Sequence, residues 1–357
     1  MRILLTASDS SKNRRSLALP RVVFGSSALG NLYQALPPAQ KLAITRAWFE
    51  FGPSPVVIDS AGKYGAGLAL ECIGNNLREL GVPSDGVVIS NKLGWFRTPL
   101  RSMAPTFEPG AWMDLHHDAE QRISRRGILD CWEQGCELLG DPYRPQLVSV
   151  HDPDDYVAGA QDRAERTLRF ANLYEAYEAL DELKGRSEVS AIGIGSKEWR
   201  VAREVARNVQ LDWVMVANSL TMYTHSPELL TWLDELGDRG IKVINSAVFN
   251  AGFLIGGKFF DYRIPSDQNL ADRRLFEWRE RFFRLCRQHD VTPAAACVQF
   301  GLSHPHVSSV ALNSSHPNRV AQNVALVDSK IPDTFWNDAK QFGIIDPSYP
   351  YVGQRIY

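Results

Sequence analysis

No apolar run in this chain approaches the ~20 residues needed to cross a bilayer as a helix. The amino terminus, Met1-Arg2-Ile3-Leu4-Leu5, lacks the long apolar core and small-residue cleavage site of a secretion signal, so a cytoplasmic location is expected. Cysteine is scarce and odd in number. Cys72, Cys131, Cys136, Cys286 and Cys297 show no CxxC spacing and no nearby histidine pairs. That argues against a disulfide framework or a zinc site and fits small buried hydrophobes in a reducing compartment. An excess of one charge is missing too. Lys+Arg 39 against Asp+Glu 41 gives net charge −2, which offers nothing to nucleic acid or an anionic membrane. A small neutral or anionic ligand is the default partner; the sequence leaves the oligomeric state open.

Strand-like and helix-like segments alternate instead. Apolar runs recur at 22–26, 55–60, 86–92, 146–151, 190–195, 212–217, 241–246 and 307–312. They are rich in Val and Ile without polar alternation, as in a parallel sheet buried on both faces. Helical patterns lie at 38–51, 68–80, 127–139, 170–184, 197–208, 226–238, 273–289 and 316–328. Ser226-Pro227-Glu228 and Thr292-Pro293 read as helix starts, and Gly52 and Gly81 as left-handed C-terminal caps. A doubly wound open sheet normally carries GxGxxG after its first strand, and Phe24-Gly25-Ser26-Ser27-Ala28-Leu29-Gly30-Asn31 does not.

Eight βα units therefore predict a single (β/α)8 TIM barrel over 1–357, with an amino-terminal hairpin in 1–20 and a carboxyl-terminal helix and tail in 330–357. Two connections exceed the usual two to six residues. Residues 93–126 carry Trp95, Phe96, Trp112, His116, His117 and Asp118; residues 247–272 carry Phe249, Asn250, Phe253, Phe259, Phe260 and Tyr262. Both leave carboxyl ends of strands and should overhang the active-site face, and the tail 344–357 is expected to fold over the same mouth.

Asp59 closes Val56-Val57-Ile58, Lys92 closes the third apolar run, His151 closes the fourth, and Tyr64 follows Asp59 in the turn Ser60-Ala61-Gly62-Lys63. Ionisable groups just past the carboxyl ends of barrel strands are where such folds place their chemistry. A phenol is a poor acid or base at neutrality, but an adjacent ammonium held by a carboxylate pulls its pKa down. Tyr64 can then exchange a proton with a substrate oxygen, with His151 orienting that oxygen and no metal required. Such a set suits hydride transfer at a carbonyl carbon with a nicotinamide partner.

Ile58-Asp59-Ser60-Ala61-Gly62-Lys63-Tyr64-Gly65, Asn91-Lys92 and Val150-His151 resemble the signature of the aldo-keto reductase superfamily. The resemblance implies a barrel binding NAD(P)(H) across its carboxyl face, with Asp59, Tyr64, Lys92 and His151 catalytic. Leu29-Gly30-Asn31-Leu32-Tyr33, His151-Asp152-Pro153-Asp154-Asp155 and Phe249-Asn250-Ala251-Gly252-Phe253-Leu254 resemble the branch acting on L-fucose and D-threo-aldoses. That branch implies oxidation of an anomeric carbon to a lactone. The same site in reverse is a carbonyl reductase, and a barrel that only senses nicotinamide redox state is the rival of another class.

The resemblance also implies cofactor contacts. Gly25 and Ser26, Ser196 beside Gly195, Asn218, and the run Ser246, Ala247, Val248, Phe249 and Asn250 would line the nicotinamide and pyrophosphate. Asn313, Ser314, Ser315, Arg319, Gln322 and Asn323 would meet the adenosine end. A basic residue usually stands where Asn313 does, so NAD is favoured over NADP, while Arg319 keeps some attraction for a 2′-phosphate. An aromatic ring expected before Ser246 is Asn245. Trp95 and Trp112 are candidates to stack on a sugar face. Asp152 or Asp154 is expected to cap the turn after His151.

Overall fold

The computed structural model describes residues 17–261 and 263–354. Among them are ten strands: β1 (Val22–Gly25), β2 (Val56–Ala61), β3 (Val87–Leu93), β4 (Trp95–Pro99), β5 (His117–Gln121), β6 (Leu147–His151), β7 (Ala191–Ser196), β8 (Trp213–Ala217), β9 (Lys242–Ser246) and β10 (Val307–Leu312). Eight close a parallel barrel in the order β1-β10-β9-β8-β7-β6-β3-β2. These are the eight expected runs. β4 and β5 form a separate antiparallel hairpin, with Trp95 opposite Gln121 and Pro99 opposite His117. The loop over 93–126 is thus partly ordered as a ribbon, which the sequence reading did not anticipate.

Among the described residues, eleven α-helices surround the barrel: α1 (Pro38–Phe51), α2 (Leu68–Glu79), α3 (Arg125–Leu139), α4 (Pro153–Ala158), α5 (Arg163–Gly185), α6 (Trp199–Asn208), α7 (Pro227–Asp238), α8 (Leu270–Gln288), α9 (Pro293–Gly301), α10 (Asn318–Ala325) and α11 (Asp333–Gln341). The start signals behave as read. Ser226 Oγ accepts from the Leu229 amide and Thr292 Oγ1 from the Ala295 amide. Gly81 takes the left-handed conformation at φ +65°, but Gly52 is extended at φ −82°, ψ 170°. Gly52 is instead a close approach: a Cβ there would meet the Phe24 ring at 2.6 Å.

The barrel interior is filled by Leu147, Ala191, Trp213, Met215 and Ile244. Trp213 is fully buried, and a side chain on Gly193 would collide with its indole, so the glycine makes room for the plug. Leu17 and Leu19 pack against this layer. The expected amino-terminal hairpin falls on residues outside the described ones, apart from 17–20, which form no strand. Larger clusters fill the shell between strands and helices, from Val148, Ile192 and Val214 outward to Leu180 and Trp232.

The described part of the tail, 344–354, packs against the helical ring. Ile344 accepts from the Trp278 indole, Tyr349 stacks on Phe300 at 4.5 Å, and Tyr351 reaches Asp234 at 3.4 Å. Tyr349 thus packs on α9, Ile344 meets α8 and Tyr351 reaches a carboxylate of α7, and these contacts hold this segment against the helical ring.

Candidate active site

Parallel register decides what meets at the mouth. Ala61 lies beside Lys92, Lys92 beside Ser149, and His151 beside Gly195, so residues ending β2, β3 and β6 share one rim. Lys92 Nζ donates to Asp59 Oδ2 at 2.5 Å and to the Ser60 carbonyl at 3.3 Å. The same ammonium lies 4.8 Å from the centre of the Tyr64 ring. The Tyr64 ring meets His151 edge-on, with centres 5.5 Å apart. All four predicted residues are brought together.

Backbone contact fixes Tyr64. Gly65, at φ +62°, passes against Gly30 so closely that a Cβ on Gly30 would meet the Tyr64 carbonyl carbon at 2.7 Å. Only glycine on both strands of this crossing lets the turn after β2 settle onto the loop after β1.

The electrostatics differ from the expected ones. Burial, then the carboxylates of Asp59 and Asp152, hold the Tyr64 phenol well above its usual value, with Lys63 offsetting only part. Lys92 was expected to pull it down. Its charge is cancelled by Asp59 at hydrogen-bond distance, and desolvation of the phenolate prevails. Burial likewise pushes His151 well below the ordinary imidazole value, against the attraction of Asp152, so the ring is neutral at pH 7. Its Nε2 stands 3.7 Å from Asp152 Oδ2, and its buried Nδ1 has no partner.

The turn after His151 is not capped by its own carboxylates. Asp152, at φ +47°, pairs with Lys63 at 2.8 Å, and Asp154 accepts from the amides of Lys197 and Glu198. Lys63 is the residue that sequence reasoning missed. It is 3% exposed and also holds Glu108 at 2.6 Å. Glu108 in turn accepts from the Trp112 indole at 2.7 Å. Trp112 lies 5.8 Å from the Tyr64 ring centre, and Trp95 joins the same aromatic cluster through Phe107. Within the long loop, His116 is exposed, while Asp118 turns inward and accepts from the Thr106 amide.

The expected cofactor residues occupy the rest of the rim, on the five neighbouring strands β7, β8, β9, β10 and β1. Ser26 follows β1 and donates to the Asp59 carbonyl at 2.9 Å. Ser196 ends β7, and its hydroxyl is taken by Glu198. Asn218, after β8, has a buried side-chain oxygen without a partner. Ser246 donates to Val216; Ala247 and Asn250 are both left-handed, turning the chain through Val248 and Phe249. Asn250 donates to Asp261 at 3.1 Å. Asn245 is no stand-in for an aromatic ring: its amide donates to the carbonyls of Leu220 and Gly301. Asn313 reaches back to Ser27 at 2.8 Å next to Gly25, Ser314 closes a turn on His316, and Gln40 holds the Ser315 carbonyl. Arg319 and Gln322 are exposed on α10, and Asn323 is half-buried. The second long loop crosses this arc. Phe259 lies flat on Tyr33, ring centres 4.2 Å apart. Tyr262 lies outside the described residues.

Comparison with known proteins adds a decisive match: residues 21–344 fit the model of the Aldo/keto reductase family. The chain belongs to that family. It is an oxidoreductase, in a family whose members generally use NAD(P)(H). Among curated aldo/keto reductase relatives, it is 28% identical to pyridoxal 4-dehydrogenase of Microbacterium luteolum, over 93% of this chain and 96% of that protein. It is 27% identical to D-threo-aldose 1-dehydrogenase of a Pseudomonas species, over 96% and 99%. Among solved aldo/keto reductases, one from Bacillus halodurans in its holo form superposes with TM-score 0.62 at 18% identity, covering 91% of this chain and 92% of that one. The glycerol dehydrogenase of Gluconobacter oxydans gives 0.64 at 17% identity, covering 97% of each. These last two establish the fold.

Proposed function

We propose that this aldo/keto reductase oxidises the anomeric carbon of an aldose, or a similar cyclic hemiacetal, to a lactone with NAD(P)+, with Asp59, Tyr64, Lys92 and His151 as its catalytic residues. The observation that carries the reading is the convergence of Lys92 on both Asp59 and Tyr64 beside His151 at one rim. Similarity to a D-threo-aldose 1-dehydrogenase and a pyridoxal 4-dehydrogenase supports the substrate class.

A nicotinamide would supply the hydride acceptor. The residues present fit one: the Asn218 side-chain oxygen is buried without a partner and would be satisfied by a carboxamide N–H, with Ser196 on the adjacent strand. Ser246 to Asn250 would hold the pyrophosphate, and Asn313, Ser314, Ser315, Arg319, Gln322 and Asn323 the adenosine end. The Tyr64 oxygen takes the hydroxyl proton as the carbon loses hydride. Lys92, fixed by Asp59, stabilises the phenolate that takes this proton, and the transfer leaves Tyr64 a neutral phenol. The neutral His151 ring hydrogen-bonds the reacting oxygen and sets its angle. Trp112, beside Tyr64, offers its face to the sugar ring, and Trp95 backs that wall. NAD is favoured over NADP because Asn313 is uncharged.

A second reading, reduction of an aldehyde or ketone by NAD(P)H, is favoured by one observation: the upward shift of Tyr64 keeps the phenol protonated, as a proton donor requires. A panel of free aldoses and of carbonyl compounds, run with all four nicotinamide forms, tests both. Reduced cofactor appearing with an aldose supports oxidation; turnover only of carbonyl compounds overturns it.

A further inference from the structure

Among the charged groups of the site, Lys63 has no part in the proton relay, yet it is as deeply buried as Lys92. Its ammonium spans two carboxylates from distant parts of the chain. Glu108 at 2.6 Å comes from the long loop between β4 and β5, and Asp152 at 2.8 Å follows β6 next to His151. The ammonium also lies 4.9 Å from the centre of the Trp95 ring. Burial lowers the Lys63 pKa, but the two carboxylates more than offset that and keep it cationic. A buried cation so paired is an anchor, because removing it strands two desolvated carboxylates.

Each partner leads to a reacting group. Glu108 uses its second oxygen to accept from the Trp112 indole, and Trp112 faces Tyr64. Asp152 Oδ2 stands 3.7 Å from His151 Nε2 while it accepts from Lys63 at 2.8 Å. The same arrangement fixes the charge of the wall. Lys92 is matched by Asp59, Lys197 by Asp155 at 2.7 Å, and the single charge of Lys63 is shared between two carboxylates. An anionic substrate would therefore approach a wall on which carboxylates outnumber ammonium groups, whereas hydroxyls would find acceptor oxygens there.

We propose that Lys63 is a positioning residue that sets substrate specificity: by holding Glu108 and Asp152 together it locks Trp112 over Tyr64 and makes the His151 side select uncharged, hydroxylated substrates over acidic ones. The substrate side of this inference rests on the aldose reading; the geometric side stands on the ion triad alone.

The test compares Lys63→Met, Lys63→Arg and Glu108→Gln with the parent enzyme. The assay uses a neutral aldose and the corresponding uronic acid, with His151 followed by ring-proton NMR. The groups facing His151 are Asp152, Lys92, Lys63, Lys197 and the Tyr64 edge. Lys63→Met removes a cation and frees Asp152 to pair with the imidazole, so the His151 titration moves up in pH. KM for the neutral aldose rises about tenfold or more, with a smaller change in kcat, because a misplaced Trp112 weakens positioning. Lys63→Arg keeps both pairs and stays close to the parent. Glu108→Gln leaves the His151 titration unmoved, raises KM, and narrows the preference for the aldose over its uronic acid.

A folded Lys63→Met protein with unchanged KM and unchanged His151 titration overturns the proposal. If that variant does not fold, Glu108→Gln decides: an unaltered KM and an unaltered aldose-to-uronate ratio overturn it. Should the parent oxidise no aldose, the function reading fails separately. The His151 titration and the KM for a carbonyl substrate with NAD(P)H then decide the role of Lys63.

Discussion

Lys92 and Asp59 share a 2.5 Å hydrogen bond between neighbouring strands, buried on both sides. The bond has two consequences for Tyr64, which lies against the same ammonium. It orients the cation, and it cancels most of the cation's field, so the phenol stays protonated until chemistry demands its proton. On the proposed mechanism, Lys92 is a stabiliser of the transition state more than a resting-state activator.

Tyr64→Phe and Lys92→Met should each lower kcat by roughly 10²–10⁴-fold, the usual worth of a positioned proton-transfer group. Dinucleotide affinity should be retained, since neither side chain lies on the arc of β7 to β10 and β1. Steady-state rates and fluorescence titration with the cofactor check this. Turnover by Tyr64→Phe at the parent rate removes the phenol from the mechanism.

The two directions should differ in pH dependence. With the Tyr64 pKa raised, the proton donor needed for reduction is present throughout the neutral range, so kcat/KM for a carbonyl substrate should be flat from pH 7 to 9. Oxidation needs the same group to accept a proton and should rise across that interval. Parallel profiles in the two directions would contradict the assignment of one phenol to both roles.

Gly65→Ala should be costly out of proportion to its size. A left-handed conformation costs a non-glycine residue about 1–2 kcal/mol, and the new Cβ would collide with the Gly30 carbonyl. Relief of that clash moves Tyr64, so activity should fall further than stability. Thermal unfolding and kcat measured on the same preparation separate the two effects.

The barrel and the tetrad were legible because runs such as Val56-Val57-Ile58 and Leu147-Val148 are buried on both faces, and each tetrad residue sits at or just past a run's end. The hairpin of β4 and β5 was not, since Trp95-Phe96-Arg97-Thr98-Pro99 and His117-Asp118-Ala119-Glu120-Gln121 lack both a continuous apolar run and a clean alternation. The long helix α5 begins well before the expected 170, capped by Asp162 accepting from the Glu165 amide; its polar first turns hid the periodicity. Lys63 escaped for a different reason. A lysine in a Gly-rich turn reads as solvated, and its partner Asp152 is 89 residues away in sequence. Pairing across a fold leaves no local pattern to read.

Acid should destabilise the protein through histidines held neutral. Burial pushes His304 down to about 4, against the attraction of Asp234, and lowers His151 and His225 as well. A depressed folded-state value means the stability is present above the unfolded pKa of about 6.5 and lost as pH falls towards 4. For His304 the full span is worth about 3 kcal/mol at most. The melting temperature should therefore drop steeply between pH 6.5 and 4, and His304→Gln should flatten that dependence. A parent protein equally stable at both ends would show that these rings are charged or exposed in the native state.

Cofactor choice should respond to a single side chain at the end of β10. Asn313 is exposed, uncharged and tethered to Ser27, and Arg319 on α10 is the nearby cation that the family resemblance assigns to the adenosine end. An arginine at 313 would add a second guanidinium able to bind a 2′-phosphate through two hydrogen bonds. Asn313→Arg should raise kcat/KM for NADP+ about tenfold or more relative to NAD+, with the gain shrinking as salt is added. The parent should prefer NAD+. A parent preference for NADP+, together with no change in the variant, would place the 2′-position of the ribose away from residue 313 and the end of β10.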